Sequence, residues 1–459
     1  MAPVAIIGGG ISGLSTAYYL SKAGIPAILI EREPRLGGVI TTEVVDNCVI
    51  EGGPDSFLSA KPWAMDLIRE IGLEDEVIGS NDHLRITYIV KDGRLVPLPD
   101  GLMMMVPTRL FPLVTSRLLG WGTKLRMGLE LFRRSGEARR ADRSVAEFIE
   151  DHYGSETADY LAEPLLAGVY GGSPWELSVS SVLTRFVELE SRYGSLTRGV
   201  LTEMKKARAT ARQATLFRTL KGGLGQLVSK LEEKITPSTR IVRGDAETLE
   251  RRPGGFAVRV SGEWIAVAQV VLACQAYQAA ALVDTLDGEL ARLLGSIPYS
   301  SSMTVALGYS ASDFRHPLNG FGFLVPRRER HRLIACTWVG TKFPQRVAQG
   351  RVVLRCFLGG SEDPEVLDEP DEMVIRNVRE ELHRIMGVSE SPCFERVMRW
   401  PRSMAQYTVG HQDKLEAIEG RLGRIPGVHV AGNAYRGIGI PDCVRMGKEV
   451  AGRIASVGA

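Results

Sequence analysis

Gly8, Gly10 and Gly13 stand between the apolar run Val4-Ala5-Ile6-Ile7 and a helix-like stretch ending at Lys22, and their spacing is that of a phosphate cradle. In such a GxGxxG turn the first glycine permits the tight turn and the second lets a pyrophosphate lie against bare backbone. The third lets the following helix pack on the strand. Ile11 and Ser12 open that helix, whose positive end faces the phosphates. A second apolar run, 27–30, closes on Glu31, about where a carboxylate takes both ribose hydroxyls and disfavours a ribose carrying an extra phosphate.

Two further glycine clusters extend the cradle. Arg35-Leu36-Gly37-Gly38 and Glu51-Gly52-Gly53-Pro54 are places where backbone is expected to approach a ligand. Near the other end, His429-Val430-Ala431-Gly432-Asn433 leads into Gly437-Ile438-Gly439-Ile440-Pro441-Asp442-Cys443-Val444. A strand, a glycine loop and a helix from about Asp442 would aim a second helix N-terminus at the cofactor. A nicotinamide does not usually need that second cradle. A flavin does, because donors there stabilise negative charge that develops as its ring is reduced.

The elements that position these residues need a long chain. The 459 residues are 44% hydrophobic, enough for a large core and two or three domains. Lys plus Arg number 56 and Asp plus Glu 54, a formal +2 that leaves no global footprint for nucleic acid. The cysteines at 48, 274, 336, 356, 393 and 443 show neither CxxC nor His-paired spacing, so no metal site or disulfide framework is expected. They read as buried thiols in a reducing cytosol, and the first apolar stretch reads as a strand rather than a signal peptide. A cytoplasmic location follows as an expectation.

The segment 102–121 is apolar but broken by Pro107, Arg109, Pro112 and Arg117, which makes it a poor bilayer span. Met103-Met104-Met105 and the interspersed arginines would suit a monotopic surface, in peripheral contact with the inner face of the membrane, or the mouth of an apolar channel; an internal helical subdomain with flexible methionine packing is the preferred reading. Segments 85–90 and 94–98, joined at Asp92-Gly93, read as a β-hairpin. From 102 to 212 the pattern is helical, with charged stretches at Arg133-Arg134, Arg139-Arg140 and 205–212. Gly222-Gly223-Leu224-Gly225 starts a returning helix, followed by a hairpin of 240–250 with 256–260 and a buried strand at 267–274. Segments 303–309, 322–325, 333–338 and 352–358 read as an antiparallel sheet, and 371–386 as a helix.

The expected fold is α/β: a Rossmann-like FAD-binding domain of 1–80, 215–275 and 400–459, assembled from three separated stretches. An antiparallel-sheet substrate domain, 81–98 and 276–399, and an α-helical subdomain, 99–214, are inserted between them.

With those residues in hand, the chain resembles the flavin amine oxidase superfamily and, within it, the oxygen-dependent porphyrinogen oxidases of haem biosynthesis. The resemblance rests on the N-terminal GxGxxG with Glu31, on Glu51-Gly52-Gly53-Pro54-Asp55-Ser56-Phe57-Leu58 and on Glu163-Pro164-Leu165-Leu166-Ala167-Gly168-Val169-Tyr170. It rests also on Gly320-Phe321-Gly322-Phe323-Leu324-Val325-Pro326, Gln406-Tyr407-Thr408-Val409-Gly410-His411 and the 437–444 loop. Ala335-Cys336-Thr337-Trp338, Lys342-Phe343-Pro344 and Ile440-Pro441-Asp442-Cys443 look like the soluble bacterial branch associated with coproporphyrinogen III. The branch associated with protoporphyrinogen IX more often has Asn in place of Pro441, and that substrate remains the alternative.

The resemblance implies non-covalent FAD, O2 as acceptor, six-electron oxidation of a porphyrinogen in three cycles with release of H2O2, and a product compatible with handover to a ferrochelatase. It implies a cofactor set of Gly8, Gly10, Ile11, Ser12, Gly13, Glu31, Arg35, Gly37, Gly38, Gly53, Pro54, Asp55, Ser56, Val242, Gly432, Gly439, Ile440, Asp442 and Val444. For substrate it implies Arg85 as a propionate ligand, Phe321, Leu324 and Phe357 around the ring, the Gly168 carbonyl toward pyrrole N–H groups, and Lys342 as a second anion site. Arg85's planar fork suits a carboxylate. No Ser/His/Asp or paired-carboxylate arrangement is present, so no side chain is assigned as catalytic and hydride transfer falls to the flavin N5; His411 reads as structural. The rival readings are a flavin amine oxidase or desaturase, and a non-catalytic binding protein of the guanine-nucleotide-dissociation-inhibitor type.

Overall fold

A computed structural model of the chain describes residues 2–134, 141–207 and 215–458. The charged residues Arg139 and Arg140 and the stretch 208–212 lie outside them.

Five parallel strands form the first sheet, in the order Thr239–Arg243, Ala27–Glu31, Val4–Ile7, Gln269–Leu272, Val428–Val430. All four residues of Val4–Ile7 are buried, as an unbroken apolar run covered on both faces must be. From Val4–Ile7 the chain first goes to one side, at 27–31, and later to the other, at 269–272. The crevice therefore opens at the carboxyl ends of these strands, where Gly8 begins its turn. The helices Ile11–Lys22, Gly225–Ile235 and Ile440–Gly458 pack there, and the first contacts both of the others.

The second sheet has seven strands, ordered Phe394–Ala405, Tyr299–Ser310, Arg351–Gly360, Ala335–Trp338, Gly322–Leu324, Thr87–Lys91, Arg94–Pro97. Pleat alternation divides its side chains. Val305, Leu307, Leu354, Cys356 and Phe323 share a core with Val374, Val378, Leu382 and Ile385, the i, i+4, i+8, i+11 stripe of the helix Asp371–Met386. The opposite face carries Met398, Thr304, Phe357, Ala335 and Leu324 in one cross-strand row. That row is turned toward the glycine loop at 52–53, since Thr304 Oγ1 donates to Gly52 O at 2.8 Å.

Several expectations need correction. The four segments expected as an antiparallel sheet do pair in that way, and the sheet extends beyond them by a parallel pairing of Gly322–Leu324 with Thr87–Lys91. The expected strand at 240–250 is broken at Gly244: Thr239–Arg243 joins the parallel sheet, while Ala246–Arg252 starts a separate three-stranded meander. Helix does not begin at 102. Leu102–Met103 and Val106–Pro107 pair as a short ribbon, with Met104 at φ 57 in its turn, and helix starts only at Leu110–Thr115. Local propensity cannot resolve a two-residue ribbon held by tertiary contacts.

Candidate functional site

Each glycine of the first turn has its own physical reason. A Cβ on Gly8, whose φ is 108, would lie 2.7 Å from Ala273 O in the neighbouring strand's exit, and one on Gly13 would lie 1.9 Å from Gly8 O. Protein closes those two positions. A Cβ on Gly10 would meet nothing within 4 Å, so the middle glycine borders open space. Gly10 also caps the helix Ile11–Lys22, which has no side-chain cap and no acidic residue in its first turn. An uncapped helix end facing room that only bare backbone borders fits the pyrophosphate of a dinucleotide.

The Glu31 carboxylate is held by the N–H groups of Gly9, at 2.6 Å, and Glu33, at 2.9 Å. Val242 pairs with Ile30 one position before it. Gly37 bridges to Gly10, and Arg35 ties the loop by donating to the carbonyls of Gly38 and Ile40 at 2.6 and 3.1 Å. Gly38 lies beside Gly10, 3.3 Å from its Cα to the position of an added Cβ. At the far wall, Tyr407 Oη donates to Asn433 O and accepts from Gly437 N–H, both at 2.8 Å, fixing the glycine loop. Asp442, in the first turn of the terminal helix, accepts from Lys61 at 2.6 Å. Ser12, Ile440 and Val444 are buried, Val444 in the hydrophobic core.

His411 stacks on Tyr407 with ring centroids 4.1 Å apart, and its Nε2 faces Tyr435 O. Burial pushes it down to about 4, so it is neutral near pH 7. Cys443 is buried, and burial pushes its thiol up to about 11, the opposite of what a reactive thiolate requires.

Of the residues expected at the substrate, the structure brings two sets together. Leu324 and Phe357 both stand opposite Ala335 on one sheet face, and both are half-buried. Gly168 approaches them: a Cβ there would lie 3.4 Å from Leu324 Cδ2. It sits within the helix Glu163–Tyr170 rather than breaking it, in the last turn, where carbonyls lack helical partners. Glu163 anchors this helix through Arg330 at 2.6 Å and Arg327 N–H at 2.9 Å. The second set is Arg85 and Phe321, joined through Phe321 N–H donating to Ile86 O at 2.7 Å. Arg85 is exposed and its guanidinium has no protein partner among the described residues.

Lys342 departs from its expected role as a loop anion site. It is buried, with Nζ 2.8 Å from Asp55 Oδ2 and 4.7 Å from the centroid of Phe217. Its charge is committed inside the protein. Asp55 and Ser56 belong to the same buried cluster: Ser56 Oγ donates to Asp55 Oδ1 at 2.6 Å. Burial alone would raise the Asp55 carboxyl, but Lys342 and Arg355 hold it well below the usual carboxylate range. Arg346 completes the cluster with Glu51 at 2.7 Å. Arg355, Arg346, Thr304 and Trp400 escape sequence reasoning because their partners lie more than 120 residues away.

A parallel sheet with a bare glycine turn at its switch point, joined to a second, mixed sheet, is the arrangement of a dinucleotide-binding protein. The chain belongs to the flavin-containing amine oxidoreductase family, whose pattern matches residues 11–455. It is 32% identical to the coproporphyrinogen III oxidase of Bacillus subtilis (strain 168) over 465 residues, covering 97% of this chain and 96% of that protein. It is 26% identical to the chloroplastic protoporphyrinogen oxidase of Nicotiana tabacum, covering 98% of this chain and 84% of that protein. A crystal structure from Exiguobacterium sp. 255-15 superposes with a TM-score of 0.89 at 30% identity over 99% of each chain.

Proposed function

We propose that this protein oxidises coproporphyrinogen III to coproporphyrin III, with FAD as cofactor and O2 as the final acceptor. The observation that carries the reading is the meeting of Gly168, Leu324 and Phe357 on the sheet face that also touches the Gly52 loop. Removal of six electrons and six protons from the macrocycle is balanced by three O2 reduced to three H2O2. A bound flavin supplies the two-electron acceptor in each cycle.

The chain's own residues supply positioning. The Glu31 carboxylate and the uncapped Gly10 turn orient the dinucleotide, and Tyr407 holds the opposite wall. Leu324 and Phe357 offer apolar surface to a flat ring, and the last-turn carbonyl of Gly168 accepts pyrrole N–H groups. Arg85, with no partner among the described residues, takes a propionate. Among the described residues no group of His, Cys, Asp and Glu could hold a metal ion.

Steady-state kcat/KM with peroxide detection tests the substrate. Coproporphyrinogen III, with four propionates, is expected to exceed protoporphyrinogen IX, with two, and Arg85→Ala to raise KM for the former mainly. Preference for protoporphyrinogen IX overturns the substrate; peroxide with an amine and with neither porphyrinogen overturns the class.

A second observation concerns location. No helix among the described residues is long and apolar enough to cross a membrane. On Trp121–Glu130, however, Trp121, Leu125 and Leu129 follow i, i+4 spacing and are exposed by 71, 66 and 59%, with Phe111 at 79% and Phe132 at 74% nearby. Arg117 and Arg134, both exposed, add positive charge. We propose peripheral contact of this face with an anionic bilayer. Co-sedimentation with vesicles containing anionic lipid should be lost in Trp121→Ser/Phe132→Ser; absence of vesicle binding by the unaltered protein removes the proposal. Handover of product to a ferrochelatase is proposed on the resemblance alone.

A further inference from the structure

The carbonyls of Gly52 and Gly53 are held from the substrate sheet by three side chains that sequence reasoning did not mark. Thr304 Oγ1 and Trp400 Nε1 both donate to Gly52 O, each at 2.8 Å, and an Arg355 guanidinium nitrogen donates to Gly53 O. Thr304 is buried, and so is Arg355, whose guanidinium also lies 4.7 Å from the centroid of Phe357. The Arg355 Nε has no hydrogen-bond partner among the described residues.

These bonds fix more than a carbonyl. The Gly52–Gly53 peptide is trans, as are all peptide bonds among the described residues, so its N–H points opposite to its C=O. With the Gly52 carbonyl tied to the sheet, the Gly53 N–H is turned away from the sheet, and it has no partner among the described residues. Its neighbour Pro54 offers no N–H, so this is the one donor at that point of the loop. Gly53 has no room to adjust: a Cβ there would lie 1.9 Å from Val39 O. A partly buried N–H held without a partner calls for one from outside the chain.

We infer that Thr304, Trp400 and Arg355 are positioning residues that hold the Gly53 N–H as an oriented donor for the polar edge of the flavin ring. The inference rests on the proposed flavin function. It makes the substrate sheet set the orientation of a cofactor contact, so that the wall that receives the ring substrate also fixes the donor. A preset donor of this kind needs no reorganisation as charge develops.

The test uses holoenzyme carrying Thr304→Val and Trp400→Phe, which remove both Gly52 donors, the first without change of shape and the second keeping an aromatic ring. FAD release on dilution is expected to show a dissociation constant raised about five- to tenfold, the loss of one oriented hydrogen bond, together with a shifted visible flavin spectrum. kcat should fall while KM for coproporphyrinogen III stays within twofold. Thr304→Ser, which retains the hydroxyl, should restore the spectrum when compared with Thr304→Val alone, and that single pair decides the matter if the double variant fails to fold. Wild-type affinity and spectrum in Thr304→Val/Trp400→Phe, or an effect on KM alone, overturns the inference. A wild-type protein that binds no FAD instead overturns the reading beneath it.

Discussion

At the scale of single residues, identical amino acids do different work a few positions apart. Gly13 is needed by the protein itself, because its place is filled by the Gly8 carbonyl, whereas Gly10 borders empty space. Valine at the two positions should therefore give opposite defects. Gly10→Val is expected to purify without flavin and to melt with the flavin-free wild-type protein, below the loaded one; Gly13→Val should lose stability outright even against that reference. Full flavin occupancy in Gly10→Val would contradict the assignment of that space to the pyrophosphate. The cations divide in the same way: Arg85 is exposed and without a partner among the described residues, while Lys342 neutralises Asp55.

At the scale of elements, the helix Glu163–Tyr170 is placed by one buried ion pair. Glu163 and Arg330 are both nearly inaccessible, with side-chain exposures of 3% and 8%. Burial raises the Glu163 carboxyl above its usual range in spite of Arg330. Glu163→Ala would strand the guanidinium, at a cost of about 3–5 kcal/mol, and loosen the helix that presents Gly168 to Leu324. Denaturant unfolding measures this, and a loss below about 1 kcal/mol would show that the pair does not anchor the helix. The elements themselves were largely legible. The runs 4–7 and 27–30, the helix 371–386 and the hairpin turn at Asp92-Gly93 follow from period and turn chemistry, and the turn has both residues at positive φ. What escaped depends on distance in the chain. The parallel pairing of Gly322–Leu324 with Thr87–Lys91 and the clamp of Arg355 on Gly53 are set by partners that no local pattern encodes. Glycines announced the cofactor side; the apolar residues proposed to face the substrate look like any core strand, and only the motif resemblance singled them out.

At the scale of the whole molecule, one sheet assembled from distant stretches ties the crevice at its strand ends to overall stability, and protonation exposes the link. His411 and His429 are both pushed down to about 4 by burial. In the unfolded chain a histidine titrates near 6.5, so below about pH 6.5 the unfolded state binds more protons. The stability these neutral rings contribute is fully present above about pH 6.5 and lost as pH falls toward 4. His411→Phe, which keeps the stack on Tyr407, should remove up to about 1.4 kcal/mol per pH unit from the slope of unfolding free energy in that window; an unchanged slope would show that His411 is protonated in the fold. The central claim, a flavin and a porphyrinogen meeting between the two sheets, is tested most directly by one anaerobic experiment. Coproporphyrinogen III is added to the purified yellow protein without oxygen, and the visible flavin band is followed. The expected result is rapid bleaching that admission of air reverses; a band that either porphyrinogen leaves untouched would contradict the claim.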